Sequence, residues 1–206
     1  MLEAVNLTKS YNNEVIVSDF NLKIQKGDFI AITGESGKGK TTILNMLGLL
    51  EKPDFGEVIV EGFVNPSSKE VMMAQRNKFG YLFQNYALIE NETVESNLKI
   101  ALEYRKDVDK KSVMKEALYF VNLNAAILNK KIYQLSGGEQ QRVAIARLYL
   151  KESDYVFADE PTGNLDAKNR DIVFELLKKL NEMGKAVIYV THDVELAEKA
   201  DKWIKL

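Results

Sequence analysis

An α/β domain built on a mostly parallel sheet is what this 206-residue chain predicts, with a helical segment inserted into it. Two observations carry the prediction. The runs "FIAIT", "DYVFADEP" and "AVIYVTHD" begin as short, continuous apolar stretches, the pattern of strands buried on both faces. They alternate with stretches of helical periodicity, and buried strands alternating with helices indicate a parallel sheet covered by helices. At 46% hydrophobic residues the chain can bury the core of one ordinary domain.

The elements follow in order. "NLKIQKGDFIAITGESGKGKTTILNMLGLLEKPDFGEVIVEG" reads as strand, tight turn, strand, glycine-rich loop, helix, turn and strand. Within it, Ile43, Leu44, Leu47 and Leu50 recur at helical intervals. Residues 85–150 hold "TVESNLKIALEYR", "KKSVMKEALYFVNL" and "GGEQQRVAIARLYLKE", all helical in period, and no convincing strand. Ser136 suits the N-cap of the last, with Glu139 placed to complete a capping box. The expected division is an α/β core of 1–84 and 151–206 around a helical subdomain of 85–150. With only three prolines, no low-complexity stretch and no internal repeat, there is little room for a flexible linker.

Composition excludes several functions. Lys and Arg number 28 against 30 Asp and Glu, so the net charge of -2 argues against an electrostatic nucleic-acid binder. No nucleic-acid partner is expected. With no cysteine, disulfides and thiolate-bound metals are excluded. The N-terminal "MLEAVNLTKSYNN" lacks a basic region followed by an apolar one, so no signal peptide is expected. No apolar run approaches the roughly 20 residues of a membrane span. Service at a membrane would need a partner.

"GESGKGKT" fits G-x-x-x-x-G-K-[ST] at Gly34, Gly39, Lys40 and Thr41, between a predicted strand and a predicted helix. Glycines let successive backbone N–H groups curl around a phosphate, and the helix N-terminus adds the positive end of a dipole. Lys40 is placed to reach the β- and γ-phosphates, and the Thr41 hydroxyl to ligate Mg²⁺. The candidates for binding are Gly34, Glu35, Ser36, Gly37, Lys38, Gly39, Lys40, Thr41 and Thr42. Lys38, a second lysine in the loop, is either solvated or adds charge near the nucleotide.

In "DYVFADEPTGNLD" the pair Asp159–Glu160 follows an apolar strand, and ligand chemistry in parallel sheets gathers at carboxyl ends of strands. Asp159 suits Mg²⁺, directly or through water. Glu160 suits a general base for attack on the γ-phosphate. The single histidine, His192, lies past the end of "AVIYVT", so its strand end should face the same crevice. A neutral imidazole there can donate to the γ-phosphate from one nitrogen while a neighbour fixes the other.

With "LSGGEQQRVAIAR" (residues 135–147) added to these motifs, the whole chain resembles the nucleotide-binding subunit of ATP-binding cassette (ABC) transporters. The fold implied is a P-loop NTPase core with a mostly parallel sheet, an N-terminal antiparallel β region and an inserted α-helical subdomain. "SGGE" at a helix start is a second anion-binding device. The resemblance implies head-to-tail pairing with a second cassette, in a homodimer, with Ser136, Gly137 and Gly138 on the γ-phosphate of the partner's ATP. It further implies Tyr11 stacking on adenine, Gln84 reaching Mg²⁺ and the attacking water, Asp166 touching the other subunit, and His192 sensing the γ-phosphate or positioning the water.

Glu139 stands where many members have glutamine, and Lys38 where serine is more frequent; neither removes a catalytic group. The branch most similar is that of macrolide/peptide exporters and lipoprotein release. Small bacteriocin-export and antimicrobial-peptide-resistance cassettes look closest within it. The expected function is ATP hydrolysis, with Mg²⁺ and ATP, driving export or extraction of a peptide, antibiotic or lipophilic substrate through a separate membrane permease. That places the chain at the cytoplasmic face of the membrane. A cassette that regulates a cell-envelope or division complex without transport is the alternative. Tyr86, Leu88 and Ile89 either receive a helix of the permease or pack under the helical subdomain.

Overall fold

The computed structural model describes residues 1–105 and 108–206; positions 106 and 107 of the expected helical segment lie outside the described residues. A hairpin pairs β1 (Leu2–Tyr11) with β2 (Glu14–Ile24). Its two-residue connection, Asn12 and Asn13, has φ of 49° and 65°, a left-handed pair that asparagine tolerates and that suits the strand twist. After β3 (Phe29–Thr33) comes the glycine-rich loop and α1 (Lys40–Leu47). β4 (Phe55–Val60) and β5 (Phe63–Val64) return to the hairpin, giving an antiparallel sheet in the order β2-β1-β4-β5.

The short helix α2 (Ser68–Asn77) starts at a capping box of Ser67 and Glu70 and leads into β6 (Phe79–Leu82). From there to the next strand the described residues hold α3 (Val94–Ala101), α4 (Lys110–Phe120), two short 3-10 turns and α5 (Gly137–Leu150). The Ser136–Glu139 capping box of α5 forms as expected, with Ser136 N donating to Glu139 Oε2 at 2.9 Å. The chain ends with β7 (Tyr155–Asp159), α6 (Ala167–Glu182), β8 (Ala186–Val190), α7 (Val194–Ala197) and β9 (Lys202–Lys205).

The second sheet is parallel, in the order β6-β7-β8-β3-β9. Its inner strands β3, β7 and β8 are buried on both faces, which is why they do not alternate in hydropathy. Ile30 and Ile32 of β3 face Ile43, Leu44 and Leu47 of α1, along with Leu2 and Leu7 of the antiparallel sheet. Phe29 and Ala31 turn to the other side, where Val143 and Ala146 of α5 and Phe174 and Leu177 of α6 cover them.

One expectation fails locally. Leu50 does not continue the α1 stripe: the helix stops at Leu47, Leu49 turns left-handed at φ 58°, and Leu50 is 45% exposed. Gly48, at the C-cap, lets the helix end pack closely on β6. A methyl group there would come within 2.7 Å of the Tyr81 ring.

Candidate active site

Because β3, β8 and β7 are parallel neighbours, their carboxyl ends open on one edge of the sheet. β3 delivers the glycine-rich loop, β8 delivers His192, and β7 delivers Asp159 and Glu160. A cleft of about 660 Å³ lies over this edge. Of the expected residues, Tyr11, Ser36, Gly37, Gly39, Lys40, Thr41, Thr42, Gln84, Glu160 and His192 line it. Ile16, Gly163 and Asn164 line it too without having been anticipated. The nearness of Asn164 to Glu160 in the chain is the only signal available for it.

The loop is shaped by glycine at two positions in particular. Gly37 and Gly39 have φ of 83° and 80°, values at which a β-carbon is strained. Lys40 begins α1, is buried, and donates from Nζ to the carbonyls of Gly34 and Glu35, both at 2.9 Å. The lysine thus closes the loop on itself and holds its charge at the loop's centre. Glu35 and Lys38 are exposed, and Lys38 is outside the cleft lining, which agrees with the solvated alternative.

The Thr41 hydroxyl donates to Asp159 Oδ1 and Oδ2 at 3.1 and 3.0 Å, joining residues 118 apart in sequence. Burial pushes the Asp159 carboxyl above the ordinary aspartate range, against the opposing pull of Thr41 and Lys40. Among the described residues no group of three or more His, Cys, Asp or Glu could cage a metal. A hydroxyl and one carboxylate beside a phosphate cradle are hard oxygen donors, and this set fits Mg²⁺, which takes few protein ligands and completes its shell with phosphate and water.

Glu160 leaves β7 with φ 43°, a left-handed conformation unusual for glutamate and characteristic of functional turns. Its N–H bonds Val190 O at 3.0 Å, so the backbone stays tied to β8 while the side chain turns into the cleft. His192 Nδ1 lies 2.9 Å from Glu160 Oε2. A carboxylate only accepts, so Nδ1 carries the proton and donates. This revises the expectation for the ring. With Nδ1–H spent on Glu160, a neutral imidazole presents Nε2 as an acceptor, and donation from Nε2 requires a protonated ring or release of Glu160.

Ser136, Gly137, Gly138 and Asp166 are not part of the cleft lining. Ser136 accepts from Glu139 N at 3.4 Å through its hydroxyl. Asp166 is the N-cap of α6 and accepts from the Asn169 backbone at 3.0 Å and side chain at 2.6 Å. Asn169, so held, packs on Gly138, where any β-carbon would come within 2.6 Å of it. Tyr11 is 42% exposed and its hydroxyl bonds Glu51. Tyr86 and Leu88 pack on the core while Ile89 is 51% exposed, so packing is the answer for the first two.

Comparison with known proteins adds four findings. Residues 17–163 match the family model described as ABC transporter. The ATP-binding protein LolD of the lipoprotein-releasing system of Aquifex aeolicus is 38% identical, over 100% of this chain and 93% of the relative. The macrolide export ATP-binding/permease protein MacB of Campylobacter jejuni is 35% identical over the full chain, which spans 33% of that longer protein. Among solved structures, the dimeric post-hydrolysis state of the cassette MJ0796, bound to ADP and Pi, superposes with a TM-score of 0.90. It is 38% identical and covers 100% of this chain and 94% of that one.

Proposed function

The chain belongs to the ABC transporter family, and on that premise we propose that it is the ATP-hydrolysing subunit of an exporter of the LolD/MacB kind, working through a separate membrane permease. Two copies bind two ATP molecules head to tail. In each site the cradle around Lys40 belongs to one copy and the helix start at Ser136, Gly137 and Gly138 to the other. One observation carries the reading: Glu160 and His192 meet in the cleft that Thr41 and the phosphate loop also line, and Thr41 reaches from that lining to Asp159, so two contacts between distant segments converge on one site.

Each side chain then has a task. The backbone N–H groups of the loop and Lys40 hold the β- and γ-phosphates. Thr41 and Asp159 hold Mg²⁺, with Gln84 reaching it from across the cleft; bound there, the ion neutralises charge on the phosphate oxygens. Glu160 accepts a proton from the attacking water as the new bond to the γ-phosphorus forms and the bond to the ADP oxygen breaks. His192 orients the Glu160 carboxylate through Nδ1. Tyr11 stacks on adenine. The first-turn N–H groups of α5 lack intrahelical partners, and those of Gly137 and Gly138 serve the γ-phosphate of the partner copy's ATP.

No helix among the described residues is long and apolar enough to cross a membrane. In this proposal the permease holds the chain at the cytoplasmic face, a reading supported by similarity to LolD and MacB. A cleft of about 670 Å³ beside the Gln84 loop, with Met72, Ile100 and Tyr104 about half exposed in its lining, is the place for a permease segment. The cargo class is a peptide, antibiotic or lipophilic molecule; bacteriocin export is the narrowest form of the proposal and rests on sequence resemblance alone. Glu160→Gln provides the test. ATP binding should survive and a nucleotide-bound dimer should accumulate in size-exclusion chromatography. Hydrolysis at a near-normal rate would remove Glu160 from the central role.

A further inference from the structure

The helix α5, which begins with the signature motif Ser136-Gly137-Gly138, also holds two loops that carry candidate catalytic groups. Gln141, on α5, is 1% exposed and donates from Nε2 to the carbonyl of Pro161 at 2.7 Å. Pro161 directly follows Glu160, whose left-handed backbone and Gly163 N–H contact at 3.1 Å make a tight turn there. Six residues along the same helix, Arg147 donates from Nη1 to Ala87 O at 2.6 Å and from Nη2 to Tyr86 O at 3.0 Å. Tyr86 and Ala87 are successive left-handed residues, φ 64° and 47°, at the exit of the turn that presents Gln84.

Neither side chain is there for packing alone. The Oε1 of Gln141 meets no donor among the described residues. A half-satisfied buried amide is costlier than an apolar residue of the same shape, so what the amide contributes is the bond to Pro161. Arg147 spends both ends of its planar fork on main-chain carbonyls of a single loop, a geometry lysine cannot reproduce.

We infer that Gln141 and Arg147 are positioning residues, which fix the loops of Glu160 and Gln84 to the same helix whose N-terminus is the signature. This rests on the roles proposed above for Glu160 and Gln84. A shift of α5 when its signature engages the partner's nucleotide would move both loops of its own chain together.

The experiment is steady-state and single-turnover ATP hydrolysis by the full chain with Mg²⁺, for Gln141→Met, Arg147→Met, Arg147→Lys, Glu160→Gln and the pair Gln141→Met with Glu160→Gln. Gln141→Met and Arg147→Met should lower kcat by about tenfold to a hundredfold, the effect of a small misplacement of reacting groups. KM for ATP and the nucleotide-free melting temperature should stay near wild type. Arg147→Lys should restore part of kcat. In the Glu160→Gln background Gln141→Met should add nothing, because the group it positions is already gone. Wild-type kcat in Gln141→Met or Arg147→Met, or a loss that multiplies undiminished with Glu160→Gln, would overturn the positioning role and leave the assignment of Glu160 standing. Near-normal hydrolysis by Glu160→Gln would overturn both.

Discussion

Replacing Gly39 by alanine should destabilise the fold far more than the same change at Gly37, although both glycines are left-handed and stand in one loop. A left-handed backbone costs an L-residue about 1–2 kcal/mol, and φ of 83° and 80° impose this cost equally at the two positions. The surroundings differ. A β-carbon on Gly37 meets nothing within 4 Å, whereas on Gly39 it lies 2.8 Å from Val17 Cγ2 and 3.0 Å from the Ile16 carbonyl oxygen. That carbonyl belongs to β2 and cannot retreat without disturbing the hairpin, so overpacking adds about 1–3 kcal/mol. The totals are about 1.5 kcal/mol for Gly37→Ala and about 3.5 kcal/mol for Gly39→Ala. For a domain of this size they correspond to melting temperatures lower by about 4 °C and about 10 °C. Calorimetry without nucleotide measures both. Equal losses, or a Gly39→Ala protein that melts with wild type, would refute the steric argument.

Three further outcomes are expected. Asp159→Asn should melt at or above wild type while Mg²⁺-dependent hydrolysis falls by about a hundredfold, the scale of removing a group that meets developing charge. Burial raises the Asp159 carboxyl, so its cost to folding appears as pH rises through that raised value; the asparagine variant should lose this part of the stability–pH profile. Glu139→Gln should differ from wild type by about 1 kcal/mol or less, in a pH-dependent way. The Ser136 N–H holds the Glu139 carboxyl below the ordinary range, so its stabilisation is full above the ordinary glutamate pKa of about 4.3 and is lost as pH falls through the lower folded value. Melting curves from pH 7 to pH 3 should therefore converge in acid, and a constant gap would contradict this. Tyr11→Phe should leave KM for ATP within about threefold, since the hydroxyl serves Glu51, while Tyr11→Ala should raise it by about fivefold or more through lost stacking of about 1–3 kcal/mol.

Features confined to a few neighbouring residues were open to reading. The Ser136–Glu139 capping box spans four residues, and it forms as expected because a helix start is a local hydrogen-bonding problem. The phosphate loop reads for the same reason, since glycine spacing fixes the backbone that follows β3. Other elements gave weaker signals. α2 buries only Ala74 and exposes Met72 and Met73, so its apolar stripe is faint; only the Ser67–Glu70 box marks it. β6 and β9 have four residues each, too short for a period to register.

The chain order of residues thus sets which chemistry is present: a lysine and threonine after a glycine loop, two carboxylates and a histidine past buried strands, serine and glycines at a helix start. It does not set which of them meet. That β8 lies between β3 and β7, bringing His192 within 2.9 Å of Glu160, and that α5 passes close enough for Gln141 to reach Pro161, are decided by strand order and layer packing. Those depend on how all the apolar faces can be buried at once, a balance summed over the whole chain that no short stretch of it contains.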